Sequence, residues 1–319
     1  MTLSNSASNM WRGTFQPRRE LGRTGFTATL LGIGDLADRN VALDRCVATV
    51  HRAMDAGLNL IDTAPNYEEG YSEQIVGAAL KTRRDGMFVI DKIDHHHEPV
   101  APQVDGSLKN TGLEMIDCFV FHGVSTMDDW RKITTPGGGM EQLAACVTAG
   151  KVRFRGISSH HPDVLHAAIA SGLCDLVMFA IGPFCDPRYV EEILPLARKR
   201  HVGTVCFKTF GAGKLLSDTT GYNQPLQSRP RGKVSSGGSE SPGKPTLPHM
   251  TVAECLHYTL TLDPDVALLG LSFPNEQDAA YTAARTFKRV SPQEMGETRR
   301  RAAEAIRGKG PCWWNPQAA

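Results

Sequence analysis

Three ionisable side chains stand at the ends of three successive apolar runs in the sequence. Asp62, Lys92 and His122 are these residues, and Tyr67 follows Asp62 by five positions. If the runs are neighbouring parallel strands of a barrel, their carboxyl ends meet at one rim, where barrel enzymes carry their reactive groups. We therefore expect all four side chains in one site, since ionisable groups with perturbed pKa values cluster at such sites.

These residue types suit proton transfer at a carbonyl or alcohol oxygen. A tyrosine hydroxyl has an ordinary pKa near 10, and Lys92 beside it is expected to favour the phenolate of Tyr67 and lower that pKa. Asp62 would keep a buried lysine charged and in place. His122 could orient a substrate oxygen by hydrogen bonding. The set predicts proton donation to a carbonyl or proton removal from an alcohol.

Eight short apolar runs, with helical patterns between them, must position this chemistry. Continuous apolar runs without alternation are typical of parallel strands buried on both faces. The predicted strands are Ala28–Gly34, Leu58–Thr63, Met87–Lys92, Met115–His122, Val152–Ser158, Leu176–Gly182, Gly203–Phe207 and Val266–Ser272. A doubly wound open sheet is the competing fold, but the first strand is followed by no third glycine of a dinucleotide-binding turn. The pattern favours an α/β fold, a closed (β/α)8 TIM barrel.

Helix signals and domain limits follow from the same scan. Thr251 and Ser291 each begin a capping-box pattern with a glutamate three residues later, and Pro292 suits a first helical position. Apolar residues repeat at helical spacing from Leu43 to Met54, with Gly57 placed to end that helix. We expect a single barrel domain over residues 19–307, an N-terminal extension over 1–18 and a tail over 308–319.

One segment between the seventh and eighth predicted strands breaks the pattern. Over residues 228–248, 13 of 21 positions are Ser, Gly or Pro. Such a composition buries too little surface to offset the entropy of ordering, so a long flexible loop is expected. The loop could cover a ligand, or it could be a tolerated insertion, because long loops occur for either reason.

The composition narrows the class of protein. In 319 residues, 35 Lys and Arg balance 34 Asp and Glu, and the sequence has 41% hydrophobic residues. A net charge of +1 gives no electrostatic reason to expect nucleic acid or a membrane surface as a partner. The chain has no apolar stretch near 20 residues, and its first residues lack a signal-peptide core, so a cytoplasmic protein is expected. The eight scattered cysteines are expected to be structural thiols.

The sequence resembles the aldo-keto reductases in three ordered blocks between about Arg19 and Phe287. The blocks are IDTAPNYEEGYSEQIVGAAL at 61–80, DCFVFH at 117–122 and GKVRFRGIS at 150–158. The resemblance implies a (β/α)8 barrel and NADP(H)- or NAD(H)-dependent interconversion of an aldehyde or ketone and an alcohol. It also implies that Tyr67 donates the proton, that Asp62 and Lys92 tune it, and that His122 orients the carbonyl.

The resemblance further implies a nucleotide site, at which this sequence departs from the family pattern. Ser158 matches the serine that holds the nicotinamide carboxamide, but Ser159 replaces an asparagine and Met178 a glutamine. Phe207 stands for the stacking aromatic residue. Leu271 and Gln277 occupy positions that commonly carry cations for a 2′-phosphate, so the choice between NADPH and NADH is open. The expected cofactor residues are Gly34, Asp35, Ser158, Ser159, Met178, Phe207, Gly211, Ser272 and Gln277.

Two other functions remain possible from the residues alone. Histidines follow three strands, at 95–97, at His122 and at 160–161, and a metal-dependent hydrolase could use them. Adjacent histidines rarely face one ion, so no metal ligands are assigned. A nucleotide-binding regulatory protein without turnover is the other alternative, favoured by the altered carboxamide and phosphate positions. The substrate and the oligomeric state do not follow from the sequence.

Overall fold

The computed structural model describes residues 10–35, 38–216 and 248–316. Eight parallel strands close into a barrel, preceded by an antiparallel hairpin of β1 (Arg19–Glu20) and β2 (Thr27–Ala28). The barrel strands are β3 (Leu31–Ile33), β4 (Leu60–Asp62), β5 (Phe88–Ile93), β6 (Ile116–Phe121), β7 (Val152–Ser158), β8 (Leu176–Ala180), β9 (Gly203–Phe207) and β10 (Val266–Leu269). Strand β10 pairs with both β9 and β3, which closes the ring and confirms the predicted single-domain TIM barrel.

Helices fill the connections between the strands. They are α1 (Leu43–Asp55), α2 (Tyr71–Leu80), α3 (Val100–Thr111), α4 (Met127–Thr134), α5 (Gly139–Thr148), α6 (Pro162–Ser171), α7 (Leu194–Lys199), α8 (Val252–Leu262), α9 (Pro274–Arg285) and α10 (Pro292–Ile306). The capping boxes predicted at Thr251 and Ser291 are both formed, and Pro292 begins α10. Residues Tyr189–Ile193 form a π-helical turn that runs directly into α7.

The apolar core has two layers, one inside the barrel and one between the strands and the helices. Leu60, Phe88 and Val120 belong to the inner layer, while Val89 and Phe119 belong to the outer layer. Neighbouring strand residues thus bury their side chains on opposite sides of the sheet. This double burial is the physical reason for the continuous apolar runs in the sequence.

The first predicted strand, Ala28–Gly34, is divided between two elements. Ala28 ends the hairpin strand β2, and the barrel strand begins only at Leu31. Between them the backbone N–H of Thr29 donates to the Asn59 side-chain oxygen at 2.8 Å, instead of pairing with a neighbouring strand. The hairpin closes the amino-terminal end of the barrel, where the Phe26 and Phe88 rings lie 5.0 Å apart.

The ends of the chain pack against the barrel. Trp11 and Trp314 are both buried in the outer core layer, although the predicted domain limits are 19 and 307. Residues 228–247 of the predicted flexible loop lie outside the described residues, and the described chain resumes at Pro248. The N–H of Met250 donates to the carbonyl of Leu215 at 2.7 Å, so the two flanking segments meet.

Two further findings concern the class of protein. All eight cysteines are free thiols, and most of them are buried, as predicted. Among the helices of the described residues, none is both long and apolar enough to cross a membrane.

Candidate active site

A buried ion pair joins the ends of β4 and β5. The Lys92 Nζ atom donates to Asp62 Oδ1 at 2.7 Å and to the carbonyl of Thr63 at 2.6 Å. Burial alone would lower the pKa of Lys92, but the charge of Asp62 and its hydrogen bond, together with Tyr67 and Asp91, outweigh burial, so the net shift is upward. The ammonium therefore keeps its proton inside the protein. Burial raises the pKa of Asp62, while Lys92 opposes that shift.

Tyr67 lies directly over this ion pair. The Lys92 Nζ atom is 4.5 Å from the centre of the Tyr67 ring. Lys92 lowers the pKa of the hydroxyl, as predicted, but burial raises that pKa more strongly, so the net shift is upward. The expectation of a lowered pKa is therefore wrong, because desolvation of the phenolate outweighs its attraction to the ammonium. Tyr67 is a protonated donor at neutral pH.

The turn that carries Tyr67 has an unusual backbone. Glu68 and Glu69, the next two residues, both have positive φ angles, which glycine adopts more readily than glutamate. Arg39 contacts both side chains, with its Nε 3.2 Å from Glu68 and its Nη1 2.6 Å from Glu69. This contact holds the loop after β4 over the rim of the barrel.

His122 completes the cluster at the end of β6. Its ring meets the Tyr67 ring edge to face, with centroids 5.6 Å apart. Its Nδ1 lies 2.5 Å from Asp94 Oδ1, and Asp94 Oδ2 accepts the backbone N–H of Asn66 at 2.9 Å. The four predicted catalytic residues are therefore together, and Asp94 is an additional member of the cluster.

A cavity of about 500 Å³ opens over this cluster at the carboxyl ends of the strands. The four predicted catalytic residues line it, and five of the predicted cofactor residues do so as well. These five are Gly34, Asp35, Ser158, Met178 and Phe207. The volume is ordinary for the site of a small molecule or a cofactor.

The other four predicted cofactor residues do not line this cavity. Neighbouring residues of an extended chain point to opposite sides, so Ser159 points away from the cavity that Ser158 lines. The Ser159 hydroxyl instead donates to the carbonyl of Val124 at 2.7 Å. Gly211 lies in the loop after β9, between cavity residues Phe210 and Ala212. Gln277 is buried, and its amide donates to the carbonyl of Thr49 at 3.0 Å.

Ser272 is the fourth of these residues. Its backbone N–H donates to Glu276 at 2.8 Å at the start of α9, and its hydroxyl oxygen is buried. Roles for Ser159, Gly211, Ser272 and Gln277 in holding the nucleotide stay predictions.

The sequence did not single out several residues that the structure brings to the cavity. Asn66, Asp94, Lys208 and His160 all line it, although of these only His160 was considered before, as part of a possible metal site. Trp313 of the C-terminal tail also lines the cavity, and its neighbour Trp314 is buried. Their positions in the sequence could have indicated a role, because Asn66, Asp94, Lys208 and His160 each lie just after a strand.

His160 is the most perturbed of these residues. Burial, and then the positive charge of Lys208, lowers the pKa of His160 to about 3, so its ring is neutral at physiological pH. Its Nδ1 atom is buried without a hydrogen-bond partner among the described residues. The ring meets Phe207 edge to face, with centroids 5.4 Å apart. An acceptor buried in this way is costly unless a ligand pairs with it.

The histidines do not assemble a metal site. Over residues 10–35, 38–216 and 248–316, no group of three or more His, Cys, Asp or Glu side chains could hold a metal ion. His96 instead bonds the backbone carbonyl of His122 at 2.8 Å, and His122 itself is engaged by Asp94. Nothing in this geometry favours the hydrolase alternative.

Comparison with known proteins identifies the family. The profile of the Aldo/keto reductase family matches residues 30–283, which is most of the chain. The chain belongs to this family. This aldo/keto reductase is accordingly an NAD(P)(H)-dependent oxidoreductase acting on carbonyl or alcohol groups.

Individual relatives of this aldo/keto reductase share less than a third of its residues over the matched regions. It is 28% identical over 229 residues to the NADH-specific methylglyoxal reductase of Escherichia coli, covering 63% of this chain and 69% of that one. It is 26% identical over 216 residues to the L-galactose dehydrogenase of Arabidopsis thaliana, covering 62% of this chain and 66% of the relative. The matched part of the chain thus spans about two thirds of the length of each of these relatives.

Solved structures agree on the fold. The aldo-keto reductase AKR11C1 from Bacillus halodurans, in its holo form, superposes with a TM-score of 0.64 at 23% identity. The match covers 91% of this chain and 98% of that one. At this identity the likeness shows the barrel fold and does not transfer a substrate.

Proposed function

We propose that this enzyme interconverts an aldehyde or ketone and the corresponding alcohol at the Asp62–Lys92–Tyr67–His122 cluster, with Tyr67 as the proton donor. The supporting observation is the Tyr67 ring held between a buried ammonium and an imidazole at the base of the cavity. A carbonyl oxygen placed between Tyr67 and His122 would accept the hydroxyl hydrogen of Tyr67 and, when the His122 ring is protonated, a hydrogen bond from that ring as well, the arrangement that polarises a carbonyl for addition.

Each residue has a distinct task in the reduction. The Tyr67 hydroxyl gives its proton to the carbonyl oxygen as that oxygen gains negative charge. Lys92 stabilises the phenolate that Tyr67 becomes, because its ammonium lies at the Tyr67 ring. Asp62 holds that ammonium by a 2.7 Å hydrogen bond, which keeps it charged and fixed. In the oxidative direction the phenolate takes the proton back from the alcohol.

The residues of the cavity fit a nicotinamide nucleotide, whose ring supplies or accepts the hydride when it is bound. Phe207 offers an aromatic surface for the ring, and the Ser158 hydroxyl can pair with the carboxamide. Ser158 already accepts the backbone N–H of Gly123 at 2.8 Å, so its own proton is available for donation. The partnerless Nδ1 of His160 is a buried acceptor in the same cavity.

The preference between NADPH and NADH is a finer question. One relative is named as NADH-specific, and aldo-keto reductase structures from Klebsiella pneumoniae contain NADP or NADPH. In this chain Gln277 is uncharged, and its amide is already bonded to Thr49 and Arg52. Because Gln277 has no charge with which to bind a 2′-phosphate, we propose that NADPH is favoured over NADH only weakly.

A titration with each reduced nucleotide tests this function. Trp313 lines the cavity, so a bound reduced nicotinamide should accept its excitation energy. We expect saturable quenching with both nucleotides at micromolar concentrations, followed by nucleotide oxidation when aldehydes or ketones are supplied. Binding without turnover across a broad carbonyl panel would favour the regulatory alternative. No binding of either nucleotide below the millimolar range would contradict the proposal.

A further inference from the structure

Asp94 connects two groups of the proposed active site. Its side chain follows β5 and is only 7% exposed. One carboxylate oxygen lies 2.5 Å from His122 Nδ1, and the other accepts the N–H of Asn66 at 2.9 Å. Because Asn66 immediately precedes Tyr67, one carboxylate fixes the His122 ring and the backbone of the Tyr67 turn together.

This contact determines where His122 carries its proton. Burial opposes ionisation of Asp94, but the hydrogen bonds from His122 and Asn66 hold the pKa of Asp94 below its usual value. An ionised carboxylate only accepts hydrogen bonds, so the Nδ1 atom of His122 must carry a hydrogen. In the neutral ring the other nitrogen, Nε2, then has a lone pair and no proton.

We propose that Asp94 is a positioning residue that holds the neutral His122 in its Nδ1–H form, so that His122 can donate a hydrogen bond to a carbonyl oxygen only as an imidazolium. This inference rests on the proposed function for its substrate, whereas the tautomer itself is a property of the unliganded protein. Asp94 also favours the imidazolium, because an opposite charge at hydrogen-bond distance stabilises the charged form.

The other groups near His122 do not replace this effect. Tyr67, from the loop after β4, is neutral at physiological pH because the pKa of its hydroxyl is raised. His160, beyond β7, is also neutral, since its pKa is lowered. Lys92, from β5, and Lys208, after β9, are cations of the same cavity and disfavour a further positive charge. Asp94 is thus the group in direct contact with the ring that supports the imidazolium.

The two directions of the reaction should therefore respond oppositely to pH. Carbonyl reduction uses the imidazolium as a donor, so kcat/KM for reduction falls as pH rises through the pKa of His122. Alcohol oxidation begins with one proton fewer on the Tyr67–His122 pair, because Tyr67 must take the proton of the alcohol, so its kcat/KM rises through the same pKa. Removing the charge of Asp94 should lower the pKa of His122, so the fall in kcat/KM for reduction and the rise in kcat/KM for oxidation should both move to lower pH.

Nitrogen NMR of the ¹⁵N-histidine-labelled protein without nucleotide tests the tautomer and the pKa directly. The His122 signals are assigned by their loss in His122→Gln. We expect the neutral wild-type ring to carry its proton on Nδ1, and Asp94→Asn to lower the pKa of His122 by about one to three units. Asp128→Asn is the matched control, because Asp128 is exposed and pairs only locally with Arg131 among the contacts of helix α4. A proton on Nε2 in the wild type would overturn the proposal.

Kinetics supply the second readout. The alkaline limb of kcat/KM for reduction should shift to lower pH in Asp94→Asn by the same amount as the His122 pKa, and it should stay in place in Asp128→Asn. If neither the pH dependence of kcat/KM nor the pKa of His122 changes in Asp94→Asn, the role of Asp94 is refuted. A wild-type protein that shows the Nδ1–H ring but reduces no carbonyl would instead contradict the proposed function. The wild-type tautomer measurement stands even if Asp94→Asn folds poorly.

Discussion

At the scale of single residues, the hydroxyl of Tyr67 carries the chemistry. Tyr67→Phe keeps the ring over Lys92 but removes the proton donor, so we expect kcat to fall by about 10²- to 10⁴-fold. Nucleotide affinity should change little. Tyr71→Phe is the matched control, because the Tyr71 hydroxyl donates to the Val41 carbonyl at 2.9 Å and does not line the cavity. Steady-state kinetics that rank the two variants equally would contradict the assignment.

His160 makes a prediction about stability and pH. The folded protein holds the pKa of His160 at about 3, whereas the unfolded chain binds that proton near 6.5. Between these values the unfolded state carries the extra proton, so acid destabilises the fold, by up to about 1.4 kcal/mol per pH unit from this group. We expect His160→Phe to weaken the acid dependence of urea unfolding between pH 4 and 6.

The control for this measurement is His166→Gln, since His166 is exposed on helix α6. That variant should retain the wild-type dependence. Equal slopes in all three proteins would mean that His160 is protonated in the folded state, and the buried acceptor proposed for the cofactor would then be lost.

At the scale of elements, the helix starts differ in their capping. Ser291 accepts the N–H of Glu294 at the start of α10, while Ala42 at the start of α1 has no side-chain cap although its backbone is extended there. We expect Ser291→Ala to lower the free energy of unfolding by about 1 kcal/mol and Ala42→Ser to raise it by a similar amount. Chemical denaturation measures both. Changes of the same sign in the two variants would contradict this account.

The barrel elements were predictable because burial on both faces leaves a continuous apolar run. That signal located all eight strands, and with them the residues at their ends, such as Asp62 and Lys92. It failed at Ala28, because a run of apolar residues does not reveal that Thr29 bonds to the Asn59 side chain and ends the hairpin.

Of the active site, only the residues at the ends of strands were predictable from the sequence. The pairing of Asp94 with His122 depends on how the loop after β5 folds back, and loop conformation is set by tertiary contacts that leave no periodic pattern. The raised pKa of Tyr67 was missed for a related reason. The identity of Lys92 indicates a charge, but the depth of burial, which outweighs that charge, is a property of the folded molecule.

At the scale of the whole molecule, the C-terminal tail is part of the barrel wall. The Trp314 indole N–H donates to the Phe184 carbonyl at 2.8 Å, and the ring is fully buried, whereas its neighbour Trp313 faces the cavity. We expect Trp314→Ala to destabilise the protein by about 3–5 kcal/mol. Trp313→Ala should change stability much less and should mainly reduce energy transfer to bound nucleotide. Thermal unfolding and the fluorescence titration separate the two effects.

The connection between β9 and α8 has a consequence for engineering. Leu215 and Met250 are joined by a backbone hydrogen bond, and the Lys309 ammonium reaches the carbonyls of Lys214 and Pro248 at 2.8 Å on either side. These contacts hold the chain before residue 217 beside the chain after residue 247. Because the two flanks already lie side by side, a linker, a protease-cleavable tether or a second folded domain inserted between them would have only a short distance to span.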